Sequence, residues 1–223
     1  MTKKILLLSG SALLSACVLF GATIPAGTSG APTAFGSISG TVDTSISNPF
    51  PTVSGGGTTM SASYTEWVVA PTGGNEYCAG CLDFIFRINN TGTSTTTNDI
   101  IEGVTTGSYA STFKLDIGYA TTLNGAFLAG EDPASVSLSN TGTVRWDFSV
   151  PGDIAQGTNS QYLVVATNAT AWTTGVVSVQ NNNVSENNAL VPASSVPEPM
   201  TMGLIGGGLA FFGLARLRKA RKA

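Results

Sequence analysis

Three segments of this chain alternate apolar and polar side chains with a period of two, and no other feature restricts the fold as strongly. Successive side chains of a β-strand point to opposite faces of a sheet, so this pattern predicts strands with one apolar face. The segments are Leu82–Asn89, Phe113–Tyr119 and Val144–Val150, and only Ile85 departs from the alternation. We therefore expect an all-β domain.

Further strand patterns and turn signals extend this interpretation along the chain. The additional segments are Ser37–Ile46, Tyr64–Ala70, Ser135–Ser139, Gln161–Thr167 and Ala171–Val179. Clusters of Gly, Asn, Pro and Asp separate the segments, as turns do. The clearest hairpin joins Ser135–Ser139 to Thr143–Val150 through Asn140-Thr141-Gly142. About eight short strands with this punctuation predict an antiparallel β-sandwich, either immunoglobulin-like or a jelly-roll.

The N-terminus has the layout of a signal peptide over residues 1–26. A basic start at Lys3 and Lys4 precedes an apolar run that continues to Phe20, and cleavage after Ala22 or Ala26 fits the small residues there. A second interpretation is a lipoprotein, because Leu14-Ser15-Ala16-Cys17 matches a lipobox. The apolar run continues after the cysteine, which is unusual for a lipidated chain.

The C-terminus carries an apolar segment over 200–215 and a basic tail over 216–223. Sixteen helical residues cover about 24 Å, less than the roughly 30 Å of a bilayer core, so the transmembrane helix is short. The basic residues of the tail are Arg216, Arg218, Lys219, Arg221 and Lys222. By the positive-inside rule they hold the tail in the cytoplasm and place the preceding domain outside.

Together with the sequence Val196-Pro197-Glu198-Pro199, this segment and tail resemble a PEP-CTERM sorting signal over residues 196–223. The resemblance implies export through the Sec translocon and signal peptidase. It further implies transient anchoring in the inner membrane and processing by exosortase, an integral-membrane protease. Members of this family reach the cell surface or extracellular matrix, often where exopolysaccharide is secreted. Met200 departs from the family pattern, and a helix-breaking linker before a membrane anchor is the alternative.

Charge separates the two ends from the middle of the chain. Between Thr23 and Pro197 twelve acidic residues face only three basic ones, Arg87, Lys114 and Arg145, so this part has a net charge of −9. An acidic surface repels phosphate backbones, and we expect no nucleic-acid partner. The predicted domain covers 27–180, and the polar, small residues of 181–195 indicate a linker.

Cys78 and Cys81, in the sequence Cys-Ala-Gly-Cys, are the cysteines that remain after the signal peptide. A disulfide is the favoured interpretation in an oxidising compartment, where it would fix the turn before the Leu82–Asn89 strand. Two others stay open, a redox pair and half of a zinc site. Redox pairs usually open a helix, and zinc would need two further ligands in a domain without histidine.

Catalytic chemistry is limited because the chain contains no histidine, the commonest general base. Carboxylate pairs could still serve a hydrolase, and Asp83, Asp116 and Asp147 are the candidates. The alternation places them on polar strand faces beside basic residues. This pattern is more typical of a solvated sheet face with cross-strand ion pairs.

Two kinds of binding site can be considered. Calcium could bind the loop acids Glu131, Asp132 and Asp153, but no EF-hand pattern is present and ordinary loop acids are the favoured interpretation. Exposed aromatic side chains could form a carbohydrate platform. The candidates are Trp67, Tyr77, Trp146 and Trp172, and Trp146 falls in register with core positions.

These observations predict a non-enzymatic cell-surface or extracellular-matrix protein with a structural or adhesive role associated with exopolysaccharide. A carbohydrate-binding module is the alternative, followed by a secreted hydrolase that uses carboxylates. The sequence indicates no cofactor. Expected partners are the exosortase, the export machinery and an extracellular polysaccharide.

Overall fold

A computed structural model describes residues 24–55, 58–92, 99–107, 109, 112–148 and 152–193, and these residues form strands and loops without a helix. The strands are β1 (Thr28–Gly30), β2 (Thr33–Ile38), β3 (Gly40–Pro49), β4 (Val53–Gly55), β5 (Thr58–Met60), β6 (Ala62–Pro71), β7 (Asp83–Asn90), β8 (Gly103–Thr106), β9 (Leu115–Leu123), β10 (Ala126–Phe127), β11 (Ser135–Leu138), β12 (Val144–Asp147), β13 (Tyr162–Thr167), β14 (Trp172–Asn181) and β15 (Asn183–Pro192). No membrane-spanning helix occurs within these ranges.

The strands form two large sheets and one small hairpin. The first sheet has the order β1-β11-β12-β8-β14-β15, and the second has the order β10-β9-β13-β7-β6-β3. Strand β2 joins the second sheet by pairing in parallel with β9, whereas all other pairs in both sheets are antiparallel. Strands β4 and β5 pair only with each other. The arrangement fits an all-β sandwich, which confirms the predicted class.

One apolar core lies between the two sheets and explains the alternation in the sequence. Phe84, Phe86 and Ile88 of β7 lie in it without solvent exposure, together with Ile117 of β9 and Trp146 of β12. Burial of the alternate side chains removes their apolar surface from water, which drives the two sheets together. The predicted hairpin is also confirmed, because Leu138 of β11 pairs with Val144 of β12.

The second sheet is also covered on its outer face, which the alternation did not predict. A smaller apolar cluster there contains Ile38, Val69, Ile85, Tyr162 and Val164. Ile85 interrupts the alternating pattern because both faces of β7 are buried. The expectation that Asp83 and Asp116 lie on a solvated sheet face is therefore wrong, since both side chains are buried.

The predicted linker over 181–195 is wrong for Asn183–Pro192, which form strand β15. A tight turn with Asn182 at φ 49° joins β14 to β15, and the two strands pair along their whole length. Among the polar residues that suggested a linker, Glu186 and Asn188 are exposed on this edge strand and Ser185 is buried, while Ala189 and Leu190 lie in the core. The domain also starts earlier than residue 27, because Ile24 packs in the same core at 9% exposure.

Gly118 of β9 has an environment that admits no side chain. A Cβ atom there would lie 1.9 Å from the carbonyl oxygen of Thr33, a backbone atom of β2 that cannot rotate away. We expect Gly118→Ala to displace β2 and to destabilise the domain by about 1–3 kcal/mol. Hydrogen exchange of the β2 amides measures the displacement. Gly107→Ala, where no atom lies within 4 Å, is the control, and equal exchange in both variants would contradict the expectation.

Candidate functional site

A cleft opens on the outer face of the second sheet, where β7 and β9 begin and β13 ends. Its volume is about 670 Å³, and we call it the carboxyl cleft. The lining residues are Thr33, Ala34, Phe35, Ser37, Ile38, Ser39, Pro71, Thr72, Gly74, Asn75, Glu76, Asp83, Asp116 and Ala166. Three are acidic and none is basic, so the cleft is rich in hydrogen-bond acceptors.

Asp83, Ala166 and Asp116 form a row across three neighbouring strands. Ala166 of β13 pairs with Asp83 on one side and with Asp116 on the other, so the three side chains point to the same face. Both acids are almost completely shielded from solvent, at 4% and 0% exposure. Ala166, which lies between the two acids in this row, is also buried, at 2% exposure.

Asn75 holds the Asp83 carboxyl group in place. Its side-chain amide donates to Asp83 Oδ1 at 2.9 Å and to the carbonyl oxygen of Thr167 at 2.8 Å. Its own side-chain oxygen accepts the backbone N–H groups of Tyr77 and Cys78 at 3.0 and 3.3 Å. A single asparagine therefore connects the loop that precedes β7 to the floor of the cleft.

The disulfide between Cys78 and Cys81 is present, as the sequence predicted. It closes the same loop directly before β7, and the N–H of Cys81 also donates to the carbonyl oxygen of Cys78 at 3.4 Å. Asn75 and Glu76, which line the cleft, come directly before this closed loop. Asn75 is tied to it by two hydrogen bonds with Cys78, one from its backbone N–H to the Cys78 carbonyl oxygen and one from the Cys78 N–H to its side-chain oxygen.

Asp116 has one satisfied oxygen and one without a partner. The Thr33 hydroxyl donates to Asp116 Oδ1 at 2.6 Å, whereas Oδ2 is buried and accepts no hydrogen bond. Burial is the main cause that raises the pKa of Asp116 to about 6; the Thr33 bond opposes this shift, and the nearby charge of Glu76 contributes to it. A buried acceptor without a donor is costly, so Oδ2 is an unsatisfied polar atom in the lining of the cleft.

The pKa of Asp83 is raised in the same direction. Burial raises it to about 7, the bond from Asn75 opposes this shift, and the charges of Glu76 and Asp116 add to it. Because the pKa of each aspartate is higher in the folded state than in the unfolded state, both favour folding in acid. Their contribution is lost as the pH rises from about 4 through 6 for Asp116 and through 7 for Asp83.

Removing the Asn75 amide gives a direct check of this geometry. In Asn75→Ala the Asp83 carboxylate loses its donor, so the pKa of Asp83 is expected to rise further above 7. The pKa is measured by carbon-detected NMR titration of the aspartate carboxyl groups. Asn168→Ala, which removes a bond to the Lys114 backbone N–H outside the cleft, is the control. An unchanged Asp83 pKa in Asn75→Ala would contradict the assignment.

A second pocket of about 530 Å³ lies at one end of the sandwich. Ile24, Tyr77, Tyr109 and Phe113 contribute to its apolar wall, and Lys114 also lines it. The hydroxyl groups of both tyrosines are buried without a hydrogen-bond partner, and burial raises both pKa values. Among the described residues, no acidic one lines this pocket, in contrast to the carboxyl cleft.

The remaining acids do not join the cleft. Asp147 forms an ion pair with Arg145, its neighbour two residues away on β12, rather than the predicted cross-strand pair. Glu131, Asp132 and Asp153 lie in loops outside the cleft. In the part of the chain that the structure describes, no three acidic or cysteine side chains are placed to hold a metal ion.

The aromatic candidates do not share an exposed face. Trp146 is buried, as its register predicted, and its Nε1 donates to the carbonyl oxygen of Gly118. Trp67 is half-buried and packs edge-on against Tyr162 in the outer cluster. Trp172, at 40% exposure, lies on the opposite sheet and donates from Nε1 to Asp43. An aromatic carbohydrate platform is therefore not formed by these residues.

Sequence analysis missed several residues of the cleft. Thr33 and Asn75 lie in segments without a motif, and Glu76 looks like an ordinary loop acid. Their role depends on loops meeting β7 and β9 in space. The sorting motif Val196–Pro199, the apolar segment 200–215 and the basic tail 216–223 lie outside the described residues.

Comparison of the chain with protein-family models, with curated proteins and with solved structures gives no match. The functional interpretation therefore depends on the geometry of the described residues and on the sequence patterns at the two ends.

Proposed function

We propose that this chain is an exported cell-surface or extracellular-matrix protein whose β-sandwich binds polysaccharide in the carboxyl cleft without cleaving it. Its N-terminal signal peptide directs export, and the PEP-CTERM signal provides transient anchoring in the inner membrane before an exosortase processes it. Burial of Ile24 in the core supports cleavage after Ala22, since cleavage after Ala26 would remove that side chain. The fold belongs to the immunoglobulin-like or jelly-roll sandwiches.

The observation that carries the binding proposal is the unpartnered Asp116 Oδ2, a buried atom of a side chain that lines the carboxyl cleft. Saccharide hydroxyl groups supply donors for such an oxygen, and the lining hydroxyl and amide groups supply further partners. Phe35 adds an apolar contact within the same cleft, suited to the C–H face of a sugar ring. The proposed saccharide site is therefore this cleft and not the aromatic platform that the sequence suggested.

Hydrolysis of a glycosidic bond is the second candidate, because Asp83 and Asp116 line one cleft. A carboxyl pair that cleaves such a bond needs one member protonated and the other ionised. Burial raises the pKa of both aspartates, to about 7 for Asp83 and about 6 for Asp116, which is compatible with either function. The release of reducing ends separates hydrolysis from binding.

Polysaccharide binding is tested by co-sedimentation of the exported protein with the exopolysaccharide of its host. We expect Ala166→Val, which adds two methyl groups between Asp83 and Asp116 in the row, to weaken retention about tenfold. Glu186→Gln, on an exposed position of β15, is expected to bind like the parent protein. Equal retention of the Ala166 variant would contradict a site in the cleft, and release of new reducing ends would establish hydrolysis instead.

Export and processing are tested by mass spectrometry of the protein isolated from its native host. The expected N-terminus is Thr23, and the expected C-terminus lies at or near the Pro197–Pro199 motif. Retention of the protein in the cytoplasm would contradict the export proposal. A mature chain starting at a lipidated Cys17 would support the lipoprotein interpretation in place of ordinary signal-peptidase cleavage.

A further inference from the structure

The carboxyl cleft has an excess of acceptors over donors, which restricts the chemistry of its ligand. Three carboxyl groups line it, from Glu76, Asp83 and Asp116, and the lining contains neither lysine nor arginine. The two donors nearest the aspartates, Thr33 and Asn75, are already used in bonds to Asp116 and Asp83. A ligand that brings donors and positive charge therefore complements this surface better than a neutral one.

From this geometry we propose that the carboxyl cleft selects saccharide units with a protonated amine, as in a polysaccharide of deacetylated amino sugars. The inference rests on the proposed saccharide-binding function and specifies its ligand class. An ammonium group has three donors and no acceptor, which matches the acceptor-rich row formed by Asp83, Ala166 and Asp116.

The buried oxygen of Asp116 is an independent indication of a ligand. Asp116 has 0% exposure, lines the cleft and leaves Oδ2 without a partner, although its other oxygen is bonded. A charged donor at this point would satisfy the oxygen and favour the ionised carboxylate. Because burial otherwise disfavours that charge, the bound cation and the carboxylate stabilise each other.

The remaining lining residues fit a sugar rather than a simple cation. The hydroxyl groups of Ser37, Ser39 and Thr72 can exchange hydrogen bonds with ring hydroxyls, and Phe35 offers an apolar surface. A metal ion would need several ligands converging on one point, and the described residues contain no such group. A polyhydroxylated amine uses both the acidic floor and the polar walls of the cleft.

The test measures binding of three oligosaccharides of equal length by isothermal titration calorimetry. They are oligomers of glucosamine, of N-acetylglucosamine and of glucose, titrated near pH 6 into the exported and purified protein. We expect the glucosamine oligomer to bind at least about tenfold more tightly than the other two, because only it carries ammonium groups. Added salt should weaken the glucosamine complex selectively.

Two variants connect this preference to the cleft. The side chain in Asp116→Asn resembles the protonated aspartate that the buried site favours, so we expect this variant to fold. We expect its preference for the glucosamine oligomer over the other two to fall by about tenfold or more. Circular dichroism and thermal unfolding confirm its fold, and Glu186→Gln controls for the change in net charge. Asp83→Asn is expected to act in the same direction.

The outcomes separate this inference from the proposed function. In one outcome, all three oligomers bind equally well to the parent protein and more weakly to Ala166→Val. That result would overturn the amine preference and leave polysaccharide binding in place. Preference for glucosamine that survives in Asp116→Asn and Asp83→Asn would also overturn it, since nonspecific attraction to an acidic surface would explain the result. Absence of binding to all three oligomers and to the host polysaccharide would overturn both proposals.

Discussion

We expect the domain to be less stable at neutral pH than at acidic pH, and we expect Glu66→Gln to make this difference in the free energy of unfolding much smaller. Glu66 has 0% exposure and lies on the inner face of β6, where its Oε2 accepts the backbone N–H of Leu190 on β15 at 2.8 Å. Its Oε1 has no partner. Burial raises the pKa of Glu66 from 4.5 to about 9, against the lowering effect of the Leu190 bond.

The sign of the effect follows from proton binding in the two states. Below pH 4.5 the carboxyl group is protonated in both the folded and the unfolded chain, and its contribution to stability is fully present. Above that pH the unfolded chain releases the proton while the folded chain keeps it up to about pH 9. The free energy of unfolding therefore falls by about 1.4 kcal/mol per pH unit, or about 3 kcal/mol by pH 7.

Urea unfolding at pH 4.5 and pH 7 measures this difference with the disulfide intact. The glutamine variant should lose about 3 kcal/mol less than the parent between these two pH values, because glutamine does not titrate. Some pH dependence should remain from Asp83 and Asp116. Glu186→Gln, at an exposed position of β15, should follow the parent protein. Parallel curves for the parent protein and the Glu66 variant would contradict the assignment.

Trp146→Ala is expected to destabilise the domain by about 3–5 kcal/mol, enough to unfold many domains of this size. Trp146 is the largest fully buried side chain and packs on Phe86 with ring centroids 5.9 Å apart. Its Nε1 donates to the carbonyl oxygen of Gly118 at 3.0 Å and so connects β12 of one sheet to β9 of the other. Truncation leaves a cavity and removes this inter-sheet bond.

Chemical denaturation with circular dichroism separates the two contributions of Trp146. Trp146→Phe retains an aromatic ring but no N–H group, so we expect an intermediate loss of stability. Trp172→Phe, at an exposed position, should cost less than 1 kcal/mol. If Trp146→Ala and Trp172→Phe destabilised the domain equally, the central position of Trp146 in the core would be contradicted.

Local sequence patterns predicted the strands because their cause is local. The alternation in Leu82–Asn89 and Val144–Val150 corresponds to β7 and β12, and Asn140-Thr141-Gly142 forms the turn between β11 and β12. Strand β12 ends at Asp147, and Val150, the last residue of the predicted segment, lies outside the described residues. The same logic failed for β15, since an edge strand with many exposed polar residues resembles a linker.

The carboxyl cleft could not be predicted, because its parts are distant in sequence. Thr33 reaches Asp116 across 83 positions, and Asn75 reaches Thr167 across 92. The alternation predicted that Asp83 and Asp116 lie on the face of the sheet opposite the main core, and this is correct. It did not reveal that β2 and the outer apolar cluster cover that side.

The sequence by itself determined the all-β class and the apolar face of each strong strand, and it favoured the disulfide between Cys78 and Cys81. These properties depend on neighbouring residues, so periodicity and spacing are sufficient to predict them. Only the tertiary structure decided that Asp83 and Asp116 are buried, that they flank Ala166, and that Glu66 lies in the core. Solvent exposure and pKa depend on which segments pack over a residue, and long-range strand pairing determines that packing.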